Sequence, residues 1–268
     1  MAKTVKKKSA AKSVKQKPTA AKQKAAGKPT ATKAAQFVER LKAHRSAEEL
    51  KKIQRYFKSD EGQYGEGDEF MGVRMGQVFA LAKEFIDMPP GEIVKLLESP
   101  VHEVRAGAVS IMDFQARGKK TPESRRKELF DLYIKRHDRI NNWDLVDRSA
   151  PYVVGGYLSD KPRNILYKLA RSKNVWERRT AIVSTYYFIR TGDVTDTFMI
   201  AEMLLHDKHD LIHKATGGWL REAGKKDRQQ LLSFLDKHAV TMPRTALRYA
   251  IEHLDKKQRE YYLNMKAG

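Results

Sequence analysis

Trp143 and Asp147 stand four residues apart in the run INNWDLVDRSA. In a helix this spacing puts them one above the other on the same face. A carboxylate beside an indole can stabilise developing positive charge, and the carboxylate can also serve as a general base. Trp176 and Arg179, three apart, repeat the pattern with a cation in place of the acid. The plainer alternative is that Trp143 belongs to the core and Asp147 makes a salt bridge to Arg179 of the next repeat.

Repeated elements must hold these residues. VHEVRAGAV (Val101 to Val109), WDLVDRSA (Trp143 to Ala150), VWERRTAIV (Val175 to Val183), DLIHKATGG (Asp210 to Gly218) and RTALRYAI (Arg244 to Ile251) present one helical face. They align Arg105, Asp147, Arg179, Lys214 and Arg248 in one column at steps of 42, 32, 35 and 34 residues. A near-constant period in that range marks stacked two-helix units, since one pair cannot bury its apolar face alone. A stripe of cations broken by one carboxylate implies a surface for a polyanion with a chemical event at one point.

Apolar residues recur at spacings of three and four from Gln36 onward, as at Phe37, Leu41, Leu50, Ile53, Tyr56 and Phe57, which predicts helices throughout. Ser46 to Glu49 fits a capping box. Ser59 to Asp68 is a polar, glycine-rich loop, and Phe70 to Phe85 a helix with Val78, Leu81, Ala82 and Phe85 on one face. Pro89-Pro90, Ser99-Pro100, Gly118 to Pro122, Pro151 with Gly155-Gly156, Gly192-Asp193 and Gly224 read as breaks. The expected fold is all-α, about six helical pairs in one curved, right-handed stack, an α-solenoid.

Of the 268 residues 41% are apolar, enough for a sizeable core. There is no cysteine, which excludes disulfides and thiolate metal sites. No apolar run approaches the roughly 18 residues that span a bilayer, and no apolar segment follows the basic N-terminus as a secretory signal requires. The net charge of +20 is uneven. Met1 to Ala34 carries eleven lysines and no acid, and reads as a disordered tail able to bind phosphate backbones by releasing counterions. A solubilising tail or a transit peptide are its alternatives, although transit peptides favour arginine. Residues 35–268 form the globular part.

FMGVRMGQVFALAKEF, HEVRAGAV, NNWDLVD, WERRTAIV, HKATGGWLREAGKKD and MPRTALRYAIEHL, in this order, resemble the DNA alkylation repair family, the AlkD-like glycosylases, from about Phe37 to Tyr262. The resemblance implies a HEAT-like superhelix whose concave basic groove holds duplex DNA. It also implies excision of cationic purines methylated at ring nitrogen three or seven (3-methyladenine, 7-methylguanine), without flipping the base into a pocket. It makes Asp147 the catalytic carboxylate, Trp143 its aromatic partner and Arg179 the arginine of the following repeat. The chemistry agrees. An alkylated base is already a cationic leaving group, and its departure leaves an oxocarbenium-like sugar that a nearby carboxylate stabilises while positioning water. Arg179 would grip a flanking phosphate and help keep Asp147 ionised.

Arg105, Lys214, Arg248, Arg178, Trp219 and Arg221 are the candidate DNA contacts, and the cations among them could instead serve repeat stacking. Where the family reads KA-x-GW-x-LRE, this chain reads KATGGWLRE. Gly218 therefore stands at the tryptophan position, and Trp219 falls about 100° further round the helix, in the core unless the helix is irregular. His206, His209 and His213 lack the carboxylate set of a metal site. Neither metal nor cofactor is expected, nor a membrane, and the chain is expected to act as a monomer in the bacterial cytoplasm or nucleoid, or in a nucleus. The alternative is a non-catalytic HEAT-like DNA-binding or scaffold protein.

Overall fold

The computed structural model describes residues 32–57 and 67–265. The basic tail and the polar loop expected at Ser59 to Asp68 lie outside these residues, apart from their last two or three positions. Ala34 already belongs to the folded part, since its side chain is buried and its N–H donates to Glu92 Oε2 at 2.8 Å.

Helices dominate, in the order α1 (Ala34–Lys42), α2 (Ala47–Phe57), α3 (Met75–Glu84), α4 (Pro90–Leu97), α5 (His102–Arg117), α6 (Glu123–Lys135), α7 (Trp143–Ala150) and α8 (Asn164–Ala170). They continue with α9 (Val175–Ser184), α10 (Tyr186–Thr191), α11 (Thr195–Leu204), α12 (Asp210–Gly224), α13 (Arg228–His238), α14 (Arg244–Ala250) and α15 (Lys256–Asn264). The row α3, α5, α7, α9, α12, α14 runs through the molecule, each helix packed on the next, and α4, α6, α8, α11 and α13 back it. This is the all-α helical-repeat stack expected from the period. One apolar core threads it from Phe37 and Phe85 through Val146 and Ile182 to Leu247.

Two local expectations are corrected. The helix expected from Phe70 begins only at Met75. Met71, Gly72 and Val73 instead run non-helically, their N–H groups all donating to the fully buried Glu103 carboxylate at 2.9–3.2 Å. One acid thereby takes the donors that a further helical turn would have used, and Gly72 supplies the left-handed φ of 79° that the path needs. Second, Pro151 does not end helical structure. A π-helical turn, Pro151–Gly155, continues α7. Proline has no N–H for the carbonyl four residues back, which is that of Asp147. Gly155 admits the neighbouring chain, since a Cβ there would collide with the Ser184 carbonyl.

Among the described residues no helix is long and apolar enough to cross a membrane.

Candidate active site and nucleic-acid interface

Asn142 caps α7 by accepting the Trp143 N–H at 2.8 Å, and Asn174 caps α9 by accepting the Trp176 N–H at 2.9 Å. These caps fix register: Asp147 and Arg179 each stand five residues after their cap, as Lys214 does after His209 and Arg248 after Pro243. Arg105 does not. It stands four after Val101, level with Arg178, and the residue of α5 in the column is Ala106. The expected column is thus one residue out of register in its first unit.

The four-after-cap position has its own task. Arg105 donates to the Ser99 and Pro100 carbonyls and pairs with buried Asp68. Arg178 does the same with Ser172, Lys173 and Asp207, and His213 pairs with the Asp207 carbonyl. Each fastens its helix to the preceding loop. Arg105 is 2% exposed, and so the DNA contact expected of it is corrected to a loop clasp; Arg178 makes the same clasp with its side chain 18% exposed.

Asp147 is gripped by a fork. Arg179 donates from Nε to Oδ1 at 2.8 Å and from Nη2 to Oδ2 at 2.7 Å, while its Nη1 donates to the Leu211 carbonyl at 2.6 Å. The salt bridge of the plainer alternative therefore exists, but in a setting that suits chemistry. Arg179 is buried, whereas the Asp147 side chain keeps 29% of its surface open and borders two cavities. Burial on its remaining sides pushes the carboxyl above the ordinary aspartate value, Arg179 pulls it back, and nearby Asp144 adds to the rise. With both edges of its fork engaged inside the protein, Arg179 orients Asp147 and is not the free phosphate grip that was expected.

Trp143 is half-buried, stacked on Phe57 at 5.7 Å between centroids and edge-on to Tyr56 at 5.9 Å. Trp176, in contrast, is buried beside His209 and does not repeat this role. Two cavities meet at Asp147. One, of about 650 Å³, opens between α2, α3, α5 and α7; the other, of about 390 Å³, lies along α9 and α12; Tyr56, Trp143 and Asp147 border both.

Lys214 borders the second cavity, 43% exposed and 2.6 Å from Asp210, and Arg248 is exposed on α14. Arg221 lies at the rim, paired with Glu252 and Glu222.

The profile of the DNA alkylation repair enzyme family matches residues 37–254. The chain belongs to this family. Membership supports a DNA-repair enzyme that binds DNA. No curated protein matches the chain. A solved structure described as a predicted DNA alkylation repair enzyme from Enterococcus faecalis aligns over 80% of this chain and 98% of its own, at 16% identity and a TM-score of 0.61. AlkD2 from Streptococcus mutans aligns over 83% and 99%, at 18% identity and a TM-score of 0.46. At these identities the first likeness shows the fold.

Against the family pattern, the shift at Gly218 and Trp219 has a clear structural form. Helix α12 is regular, so the shift is not absorbed by an irregularity. The Trp219 indole donates to the Val183 carbonyl at 3.1 Å and meets Tyr186 edge-on, leaving the half-buried ring to border the second cavity. A Cβ at Gly218 would meet nothing within 4 Å, whereas one at Gly217 would collide with the Ala246 carbonyl and lie 2.7 Å from Tyr249 Cβ. Gly218→Ala is therefore expected to raise stability by up to about 1 kcal/mol through helix propensity. Gly217→Ala is expected to lower it by about 1–3 kcal/mol by forcing α12 from α14. Urea unfolding midpoints of the two variants, moving in opposite directions, check the packing.

Tyr56, Phe57, Ala106 and the set Asp68, His102 and Asp144 were not foreseen in the site. Tyr56 and Phe57 read in sequence as one more apolar helix face, and nothing local ties them to a tryptophan nearly ninety residues on. His102 Nε2 lies 2.8 Å from Asp144 Oδ2, and Nδ1 lies 3.4 Å from Asp68 Oδ2. Of the three histidines weighed as metal ligands, His209 caps α12 through the Leu211 N–H at 3.2 Å.

Proposed function

We propose that the chain is a monofunctional DNA glycosylase that hydrolyses the N-glycosidic bond of cationic alkylated purines in duplex DNA. The observation that carries this reading is the Asp147 carboxylate, aimed by a bidentate arginine, open to a groove and adjoined by an indole face. As the cationic base leaves, positive charge develops on the deoxyribose, and a fixed carboxylate stabilises it without reorganising. The same carboxylate holds the attacking water and accepts its proton. Trp143 offers an electron-rich face worth about 0.5–2 kcal/mol toward a cation, favouring the lesion over an ordinary base. The departing base is neutral once released, so this chemistry needs no Lewis acid. The scheme requires no Schiff-base lysine, and the backbone is left unbroken.

Lys214 and Arg248 provide the phosphate contacts, with Arg221 and Trp219 at the edge of the groove. Base release from duplex treated with a methylating agent tests the reading: free 3-methyladenine or 7-methylguanine is expected. Duplex binding with no release would favour a second reading, a DNA-binding protein without excision. One observation supports that second reading, namely the open space at Gly218 where the family pattern places a tryptophan.

The tail contributes to binding rather than chemistry. Deleting residues 1–33 removes eleven lysines, and the slope of log affinity against log salt is expected to flatten, by roughly 0.9 for each phosphate that the tail neutralises. Single-turnover release at saturating protein should stay at the parent rate. Affinity titrations across a salt series check this, and an unchanged slope would exclude the tail from DNA binding.

A further inference from the structure

We propose that Tyr249 is a specificity-determining residue that lays its ring against the alkylated nucleotide and reads its positive charge, an inference that rests on the glycosylase reading above. Among the described tyrosines, Tyr249 is the one whose side chain has neither a ring contact nor a hydrogen bond. Every other has a partner, as Tyr133 has in Thr180 and Tyr262 in Asp236. Tyr249 is 39% exposed and borders the smaller cavity at Asp147. Three more aromatic side chains border that cavity. Tyr56 and Trp143 meet each other edge-on, and Trp219 is held by Tyr186 and the Val183 carbonyl. Of the four, Tyr249 is left uncommitted.

A lone exposed aromatic is ordinary on a protein surface, but two glycines of α12 give this one its place. A Cβ on Gly217 would lie 2.7 Å from Tyr249 Cβ and collide with the Ala246 carbonyl. The missing side chain thus lets α14 bring Tyr249 up against α12. The next residue, Gly218, borders the same cavity, and a Cβ on it would meet nothing within 4 Å, so the space there stays open.

The cations that border this cavity are matched in place: Arg179 by Asp147, Lys214 by Asp210, and Arg221 by Glu222 and Glu252. Their repulsion of a cationic base is therefore weakened. An aromatic face attracts such a base, more strongly once water is displaced, and an uncharged guanine or adenine gains none of that attraction. Arg248, next to Tyr249 on α14, is exposed and has no ion pair among the described residues, which suits it to a phosphate of the same strand. The contact needs no base turned out of the duplex, in keeping with the excision that the family resemblance implies. The lesion carries its charge before the bond breaks, so the contact acts on binding more than on the chemical step.

The test uses the full chain with Tyr249→Leu, which keeps apolar bulk, and Tyr249→Phe, which keeps the ring. Fluorescence anisotropy measures affinity for a duplex holding one 2′-fluorinated 7-methylguanine nucleotide, which resists cleavage, and for the same duplex with guanine. The parent should prefer the lesion duplex, and Tyr249→Phe should keep that preference. Tyr249→Leu should reduce it by about 2–30-fold, the range of a cation–aromatic contact, with affinity for the guanine duplex retained. Base release from methylated duplex should fall by the same factor at limiting protein, and the loss should shrink at saturation. Tyr249→Met takes the place of the leucine variant if far-ultraviolet circular dichroism shows that variant to be unfolded. An undiminished preference in the folded variant, or its loss in Tyr249→Phe, would overturn the assignment. So would a parent without preference, even if base is released from methylated duplex. A preference that Tyr249→Leu loses, without base release by the parent, would keep the role of Tyr249 and remove the glycosylase.

Discussion

Asp147→Asn is expected to slow release of alkylated purine by at least about 10²–10³-fold, the scale of losing one preorganised electrostatic partner of a transition state. Asparagine keeps the size and one acceptor for Arg179, so the groove keeps its shape and duplex affinity should stay within a factor of about two. Single-turnover release at saturating protein, with affinity measured separately, separates the two quantities. Release at the parent rate would move the catalytic role away from Asp147. The pH profile adds a second readout. Burial and Asp144 hold the Asp147 carboxyl above its ordinary value of 3.8 against the pull of Arg179, and only the ionised form serves. Activity should therefore fall on acidification from a higher pH than an exposed aspartate would give. Arg179→Met removes the group that opposes the rise, and should shift that acid limb further upward.

Alkaline pH is expected to loosen the wall of the site through His102. Burial alone would lower the pKa of this fully buried imidazole, but the Asp144 and Asp68 carboxylates on either side outweigh it and raise the value to about 9. Against an unfolded value near 6.5, the folded protein holds this proton more tightly. The stabilisation is fully present below about pH 6.5 and is lost as pH rises through about 9, on the order of 3 kcal/mol in all. Urea midpoints measured from pH 6 to 10 should fall along this limb, and His102→Gln should be less stable at pH 6 with a flatter dependence. A parent midpoint that does not change across this window would mean that His102 is neutral in the native state. The same imidazole packs on Phe57 and Phe70, so its loss should also disturb the ring stacked on Trp143.

Much of this was legible along the chain because helical repeats are local objects. The period near 34 residues, the breaks between helices and the Trp143–Asp147 spacing each depend on contacts within one helix or between successive units. Those contacts leave their pattern in adjacent sequence. The family motifs placed Arg179 beside that pair, and the fork between Arg179 and Asp147 follows from two caps, Asn142 and Asn174, that set equal register in α7 and α9. Register failed in α5. VHEVRAGAV begins after Val101, whose side chain caps nothing, and the alignment by residue type drew Arg105 into a column that Ala106 occupies. The start of α3 was misjudged for a related reason, since the acid that takes the Met71, Gly72 and Val73 donors lies some thirty residues later.

The sequence by itself determined the all-α repeat architecture, the excess of cations, and the carboxylate with its indole and arginine, because periodicity and spacing within a helix are fixed by backbone geometry. Only the tertiary structure decided which cations border the cavities at Asp147 and which clasp loops, because neighbouring positions on one helix differ by about 100° and register settles which of them is buried. It also decided that Tyr56 and Phe57 close on Trp143, and that a buried imidazole joins Asp68 to Asp144. Those contacts join residues tens of positions apart, and chain spacing holds no trace of them.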